Sequence, residues 1–317
     1  MSRPLKDLLR TSDLSKADIE KLLTTARKFA EKPLWAKKTL ANQTVAIYMT
    51  KSSTRTRIAS ETAVAHLGGS PIFLRSEDLQ IGRGETISDT AKIVSGFCSA
   101  LIVRTFAQSD VEELGKHASI PVINALTDDD HPTQLLADWA TIREKFGKDI
   151  AGRKFVYIGD GNNVATAWLI MGARMGAHIA VATPAGKWAP KPSVVAEAKK
   201  IAESSGGKVE VLTDPKVAAT GASVIYTDVW MSMGDSEADR AEKLAALSAY
   251  AVTSDLMKLT MADSIFMHCL PAHRGEEVAA EVIDGEKSVV WRQAFHRRTT
   301  IQALLYHLFK GDLVGNK

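Results

Sequence analysis

The stretch TVAIYMTKSSTRTRIASETAVAHL, residues 44–67, contains one complete unit of the fold. Its first six residues are mostly apolar, which is typical of a buried β-strand. A polar turn rich in Ser, Thr and Arg follows, and residues 57–67 then have the mixed apolar and polar spacing of an amphipathic helix. The order of strand, loop and helix predicts a parallel α/β sheet.

The same unit recurs along the chain. We predict further strands at residues 71–74, 100–104, 121–124, 154–158, 178–182, 208–212, 223–227 and 264–267. Helical segments separate them, for example residues 87–97, 111–117 and 193–204. Strands that alternate with helices predict an α/β protein with doubly wound parallel sheets flanked by helices.

The alternation pauses once, which predicts two domains. Residues 131–146 read as one long helix, HPTQLLADWATIREKF, and Gly147 follows it. We place the junction there, so that residues 1–147 form the first domain and residues 148–292 the second. The segment 293–317 contains a last helix that follows both sheets, and we expect it to return to the first domain.

Composition excludes several classes of protein. The 317 residues are 45% hydrophobic, which is enough for a substantial core. The net charge of +3 is too small to indicate a nucleic acid or a membrane surface as partner. Two cysteines, Cys98 and Cys269, cannot form a disulfide framework or a four-cysteine metal site. There is no signal-peptide core and no run of about 18 apolar residues, so we expect a cytoplasmic protein without a membrane span.

Candidate ligand groups in the first domain follow the ends of predicted strands, where open α/β sheets bind ligands. Residues 53–57, STRTR, follow the first strand at the start of a helix, and such a position attracts anions. Arg104 closes the third strand, and His131 and Gln134 follow the fourth, three residues apart. Each alone is equally consistent with a helix cap, a structural ion pair or a satisfied polar group. Together they favour an anion site.

The second domain carries an incomplete dinucleotide-binding turn. Gly159 and Gly161 match the pattern, but Val164 occupies the third glycine position. The amides of Asn162 and Asn163 are better suited to the carboxylate or amine of an amino acid. These residues leave open whether the domain binds a nucleotide or an amino acid.

Two further strand ends in this domain carry reactive groups. Asp228 could pair with a substrate ammonium, or it could simply cap a turn. His268 and Cys269 suggest a zinc site or a nucleophile, but no second ligand pair has standard zinc spacing. A buried, inert cysteine is the usual alternative.

Four motifs together resemble the aspartate/ornithine carbamoyltransferase family, in its ornithine branch. They are STRTR at residues 53–57, HPTQ at 131–134, SMG at 232–234 after Asp228, and HCLP at 268–271. They occur in the family's order over nearly the whole chain. One departure is Thr299, which stands where the family usually has His in the segment after Arg297.

The resemblance implies transfer of the carbamoyl group of carbamoyl phosphate to the δ-amine of L-ornithine, in arginine metabolism, without a metal or organic cofactor. It implies these carbamoyl phosphate ligands: Ser53, Thr54, Arg55, Thr56, Gln80, Arg104, His131, Gln134, Cys269, Leu270 and Arg297. It implies these ornithine ligands: Asn163, Asp228, Ser232 and Met233. It implies that Arg104, His131, Asp228 and Cys269 are catalytic.

The resemblance also implies a homotrimer, or a multiple of trimers, with Gln80 reaching the neighbouring subunit's site. Three alternatives stay open. The acceptor could be another amine such as putrescine or a modified ornithine. The protein could instead be a nucleotide-dependent oxidoreductase, because of its Gly159–Gly161 turn, or a binding protein without activity on the same scaffold.

Overall fold

Two parallel β-sheets, one in each of two units of the chain, form the core of the computed structural model. The structure describes residues 4–231 and 237–316. One unit contains the chain up to Glu144 and again from Phe295, and the other is Lys145–Ala294. Ser232 and Met233, which the family resemblance assigns to ornithine, lie outside the described residues.

The first unit contains a four-stranded parallel sheet of order β2-β1-β3-β4. Its strands are β1 (Thr44–Met49), β2 (Ser70–Arg75), β3 (Ala100–Arg104) and β4 (Val122–Leu126). Its helices are α1 (Lys16–Glu31), α2 (Thr54–His66), α3 (Ile87–Phe97), α4 (Gln108–His117) and α5 (Pro132–Phe146), with 3₁₀ turns at Thr11–Asp13, Ser76–Asp78 and Ile81–Arg83. Every residue of β3 is buried, as expected for a strand covered on both faces.

The second unit contains a five-stranded parallel sheet of order β7-β6-β5-β8-β9. Its strands are β5 (Lys154–Ile158), β6 (His178–Ala182), β7 (Lys208–Leu212), β8 (Ala222–Thr227) and β9 (Ile265–His268). The helices are α6 (Asn163–Met175), α7 (Pro192–Ser205), α8 (Pro215–Ala219), α9 (Arg240–Leu247), α10 (Ser254–Met257) and α11 (Ala280–Ile283), with 3₁₀ turns at Glu237–Asp239 and Ser248–Tyr250. Helix α12 (Val290–Lys310) belongs to the first unit from Phe295 onward.

The predicted fold class is confirmed, since both sheets are parallel and flanked by helices and a C-terminal helix follows them. The nine predicted strands are present: β1, β3, β5, β6 and β7 have the predicted bounds, and β2, β4, β8 and β9 differ by one or two residues at one or both ends. Helix α2 begins at Thr54 rather than at residue 57, because the Ser53 side chain caps it. Helix α5 begins at Pro132, so His131 lies in the loop before it.

Each sheet contains one point at which the strand order reverses. In the first unit this point lies between β1 and β3, and in the second it lies between β5 and β8. Ligands of open α/β sheets bind at the carboxyl ends of such strand pairs. The segments that follow these four strands are therefore where functional side chains are expected. Among the described helices, none combines the length and apolar character needed to cross a membrane.

Candidate active site

The start of α2 offers an anion site at the carboxyl end of β1. Ser53 caps the helix, since its Oγ accepts the Thr56 N–H at 3.2 Å, and its hydroxyl donates to Thr56 Oγ1 at 3.1 Å. Thr54 and the half-buried Arg55 stand in the first turn. The first N–H groups of a helix and its dipole attract negative charge there. A phosphate group suits this position.

Arg104 and Arg297 bring two buried guanidinium groups to the first unit. Arg104 is the last residue of β3 and is 6% exposed, and Arg297 in α12 is 2% exposed. Arg297 donates from Nη1 to Gln134 Oε1 at 2.5 Å and from Nη2 to Thr56 Oγ1 at 3.2 Å. Gln134 in turn donates to Asp138 at 2.8 Å. Helix α12 thereby holds its arginine against both α2 and α5.

His131 is buried among these arginines, with 4% of its surface exposed. Burial lowers the pKa of His131 well below its ordinary value, and the positive charges of Arg297, Arg104 and Arg55 lower it further. The imidazole is therefore neutral near pH 7 and keeps one N–H to donate. A neutral donor beside three guanidinium groups can hold an anion that also carries a carbonyl oxygen.

Lys51 is a buried cation at the same edge that the sequence analysis did not single out. It follows β1, is 5% exposed, pairs with the carboxylate of Asp128 and lies 4.2 Å from the centre of the Phe106 ring. A lysine is rarely buried without a partner. Its position in the sequence between β1 and α2 was the feature by which Lys51 could have been selected as a site residue.

Gln80 lies in the loop that follows β2. It is exposed and precedes the 3₁₀ turn Ile81–Arg83, and its carbonyl accepts the N–H groups of Arg83 and Glu85 at 2.8 and 3.2 Å. Across the described part of the chain, no hydrogen bond joins its side chain to the other predicted carbamoyl phosphate ligands.

Asp228 is the centre of the polar cluster in the second unit. It follows β8 and is 7% exposed. Its Oδ1 accepts the thiol of Cys269 at 2.7 Å and the Val229 N–H at 2.8 Å, and its Oδ2 accepts the Asn162 amide at 3.0 Å. Cys269 follows β9, the neighbour of β8, and both cysteines of the chain are free thiols. The fold thus brings together Asp228 and Cys269, which the sequence analysis selected separately.

Asn162, rather than Asn163, makes the contact with Asp228. Asn162 caps α6, where its Oδ1 accepts the N–H groups of Val164 and Ala165 at 2.9 and 3.0 Å. Asn163 is the first residue of that helix. From the residues alone both amides were candidates, and the family resemblance named only Asn163 as an ornithine ligand.

The glycine turn after β5 has no free place for a pyrophosphate. The Gly161 N–H donates to the Trp188 carbonyl at 2.7 Å, and a Cβ on Gly161 would lie 2.3 Å from the Pro190 nitrogen. Asp160 forms a buried ion pair with Lys243 at 2.6 Å. Dinucleotide sites need these turn donors for the phosphates. The geometry therefore disfavours the oxidoreductase alternative.

The backbone of Leu270 is held by a buried histidine. His268 Nδ1 accepts the Leu270 N–H at 2.8 Å, so the proton of the neutral ring is on Nε2, which lies 3.3 Å from Glu277 Oε1. Leu270 has φ of 59°, a left-handed conformation that is uncommon for leucine. The His268–Glu277 pair is fully buried, and the sequence analysis gave no sign of Glu277.

Comparisons with known proteins divide the chain at the same junction after Glu144, and the second family model continues into α12. The aspartate/ornithine carbamoyltransferase carbamoyl-P binding domain matches residues 6–144, and the Asp/Orn binding domain of the same family matches residues 151–308. The chain is 48% identical to the ornithine carbamoyltransferase of Anoxybacillus flavithermus over 305 residues, 96% of each chain. It is 46% identical to that of Pyrococcus horikoshii over 98% of each chain. The solved ornithine carbamoyltransferase from Pyrococcus furiosus has a TM-score of 0.91 at 46% identity, covering 96% of this chain and 97% of the other. The chain belongs to the aspartate/ornithine carbamoyltransferase family.

Proposed function

We propose that the protein transfers the carbamoyl group of carbamoyl phosphate to the δ-amine of L-ornithine, giving L-citrulline and phosphate. The observation that carries this proposal is the neutral, buried His131 among Arg55, Arg104 and Arg297. A new bond forms between the amine nitrogen and the carbonyl carbon, the bond from that carbon to the phosphate oxygen breaks, and the amine loses one proton. The names of the relatives support the same reaction.

In this proposal the first domain, residues 1–147 with 293–317, holds carbamoyl phosphate. Ser53, Thr54, Arg55 and Thr56 bind the phosphate at the start of α2 together with Arg104, and Gln134 and Arg297 hold the carbamoyl end. Neutral His131 donates a hydrogen bond to the carbonyl oxygen, where negative charge develops as the amine attacks. Donors fixed before the reaction stabilise that charge without reorganisation.

The second domain, residues 148–292, holds ornithine. Asp228 is the buried carboxylate available to the substrate α-ammonium, and the Asn162 amide fixes its orientation. Asn163, Ser232 and Met233 complete the ornithine ligands. We assign Cys269 and the Leu270 carbonyl to carbamoyl phosphate and the reacting amine, as the family resemblance implies.

The attacking amine must be neutral. A lysine-like amine has a pKa of about 10.4, so neutralising it near pH 7 costs on the order of 4.6 kcal/mol. Burial of the amine in the site lowers its pKa, whereas a carboxylate beside it raises its pKa. Asp228 is therefore assigned to the α-ammonium. The released phosphate takes up the departing proton, and we assign Cys269, whose thiol donates to Asp228, to relay it.

A comparison of acceptor amines tests this assignment. Ornithine, putrescine, lysine, acetylornithine and aspartate are offered separately with carbamoyl phosphate, and the carbamoylated product is measured by colour. We expect ornithine to be the preferred acceptor. Preference for putrescine or acetylornithine would assign the same chemistry to another amine, and absence of any carbamoylated product would contradict the proposal.

We further propose a cytoplasmic homotrimer, or a multiple of trimers, in which Gln80 of each subunit completes a neighbour's site. The exposure of Gln80 supports this arrangement, because an exposed side chain is available to a neighbouring subunit. Gln80→Ala and His131→Ala should each be nearly inactive alone. A whole site needs His131 from one subunit and Gln80 from the next. In a cyclic trimer that contains both variants, one of the three interfaces combines an intact His131 with an intact Gln80.

Unfolding and refolding equal amounts of the two variants therefore tests the shared site. About three quarters of the trimers are mixed, and a third of their sites are whole, so roughly one quarter of wild-type activity should return. Recovery near zero, with mixed trimers verified by mass spectrometry, would show that Gln80 does not act across an interface.

A further inference from the structure

The loop after Leu270 brings together three side chains that the carbamoyl transfer does not use. They are His273, Glu276 and Glu277, whose ligand atoms all lie within 4.8 Å of one another. His273 Nδ1 is 3.8 Å from Glu276 Oε2 and 3.9 Å from Glu277 Oε2. The Glu276 N–H donates to the His273 carbonyl at 3.0 Å, and Gly275 takes a positive φ of 90° in the tight turn between them.

Two oxygens in this cluster are buried without a hydrogen-bond donor. Within residues 4–231 and 237–316, Glu276 Oε2 and Glu277 Oε2 are both inaccessible to solvent and accept no hydrogen bond. The side chain of Glu277 is completely buried. A desolvated carboxylate oxygen is costly unless a donor or a cation faces it. Both oxygens without a donor face the same imidazole nitrogen. A cation between the three groups would therefore compensate the desolvation of both carboxylates.

We propose that His273, Glu276 and Glu277 bind a divalent transition-metal ion such as Zn²⁺ or Co²⁺. Zinc binds imidazole nitrogen and carboxylate oxygen at about 2.0–2.2 Å, which separates tetrahedral ligands by about 3.4 Å. The present separations of 3.8 and 3.9 Å need only small side-chain movements to reach that geometry. One imidazole with two carboxylates suits zinc or cobalt better than the all-oxygen sites typical of calcium and magnesium.

The surroundings leave the site accessible. His273 is half exposed and Glu276 is partly exposed, so water can occupy a fourth position, as in open zinc sites. Arg240 lies 3.9 Å from the other oxygen of Glu276, and Arg274 is engaged by Asp284 at 2.6 and 2.7 Å. The two carboxylates therefore retain a net negative charge toward an incoming ion.

Glu277 also connects this site to the Leu270 segment. Its Oε1 accepts the His273 N–H at 2.5 Å and lies 3.3 Å from His268 Nε2, while its Oε2 belongs to the proposed metal site. His268 in turn accepts the Leu270 N–H. An ion on Oε2 withdraws charge from Oε1 and weakens its bond to His268. Binding of the metal ion is independent of the proposed function. An effect of the ion on ornithine binding rests on the proposed function.

Titration of the chelator-treated, full-length protein with Co²⁺ tests the site. We expect one Co²⁺ per chain, with visible d–d absorption and no near-ultraviolet thiolate-to-cobalt band, because no cysteine is a ligand. His273→Ala and Glu276→Gln should each weaken binding by at least about tenfold. Both side chains are partly exposed, so these variants should fold, which circular dichroism verifies.

Two control variants make the result specific. His117→Ala removes a histidine that also pairs with a glutamate, Glu113 at 2.8 Å, and should leave Co²⁺ binding unchanged. Cys269→Ser disables a second group of possible metal ligands among the described residues, Asp228, His268 and Cys269, and should also leave Co²⁺ binding unchanged. A thiolate band that disappears in Cys269→Ser would place the ion at that other group and overturn the proposal. Co²⁺ binding that survives His273→Ala would also overturn the proposal. Absence of Co²⁺ binding would overturn it as well, and would mean that the His273 imidazolium alone neutralises the carboxylates.

Discussion

Arg297 donates from Nη1 to Oε1 of Gln134 at 2.5 Å, although the two residues are 163 positions apart in the chain. The second nitrogen of the same guanidinium donates to Thr56 Oγ1. One planar group thereby fixes side chains from α5 and α2 around the anion site. A lysine at this position would keep the charge but could not make both bonds in this geometry.

Arg297→Lys should therefore lower kcat/KM for carbamoyl phosphate by about a hundredfold or more, comparable with removing one well-placed donor. Arg298→Lys is the matched control, because its partners, His66 and Gln302, are outside the site. Arg298 is half-buried, and its replacement should change kcat/KM by no more than about twofold, because neither His66 nor Gln302 is a proposed substrate ligand. Equal effects of the two variants in steady-state kinetics would contradict the role of Arg297.

Asp228→Asn should weaken ornithine much more than carbamoyl phosphate, since the lost charge is the proposed partner of the ornithine α-ammonium. Removal of one partner of a buried charged pair typically costs 2–5 kcal/mol, roughly, in binding free energy. Calorimetry with each substrate measures the two effects separately. The control is Asp255→Asn, an exposed aspartate paired with Lys258 at 2.7 Å. A similar loss for both substrates would mean that Asp228 is wrongly assigned.

The pH dependence should come from the substrate amine rather than from His131. Burial and three arginines lower the pKa of His131, so it is neutral throughout the range above its ordinary pKa. We expect kcat/KM for ornithine to rise between roughly pH 6 and 8.5, because only the neutral amine attacks. NMR should show no protonation of the His131 ring over this range. A flat profile, with chemistry rate-limiting, would exclude attack by the neutral amine.

Asp130, the residue before His131, should make stability depend on pH. It is 5% exposed and accepts two hydrogen bonds of 2.6 Å from Thr11, yet burial raises its pKa from 3.8 to about 6. A pKa raised on folding means that the folded state binds the proton more tightly. The resulting stabilisation is fully present below the unfolded pKa and is lost as the pH rises through about 6.

Denaturant unfolding of wild type and Asp130→Asn at several pH values measures this effect. The stability of wild type relative to the variant should fall by on the order of 2–3 kcal/mol between about pH 4 and 6.5. A difference between wild type and Asp130→Asn that stays constant over this pH range would contradict the raised pKa of Asp130.

The fold was predictable because its signals are local. Buried strands such as β3 are continuous apolar runs, and caps such as Ser53 precede the helices they begin. The placement of candidate residues at strand ends followed from the rule for parallel sheets.

Side-chain partners over long sequence distances were not predictable in the same way. The burial of Lys51 depends on Asp128, and the role of Asn162 depends on Asp228, 66 positions away. Glu276 Oε2 and Glu277 Oε2 lack a hydrogen-bond donor because of the way one turn brings both residues back toward His273. Periodicity and composition report which face of an element is buried, but not which polar atoms meet.

The central claim is that a bond forms between the carbamoyl carbon and the δ-nitrogen of ornithine. It is tested most directly by NMR of the reaction of ¹³C-carbamoyl phosphate with ornithine labelled with ¹⁵N at the δ-position. The account predicts a product whose carbamoyl carbon shows one-bond coupling to the δ-nitrogen, with phosphate released in equal amount. Release of phosphate without that coupling, or carbamoyl transfer to the α-nitrogen, would contradict it.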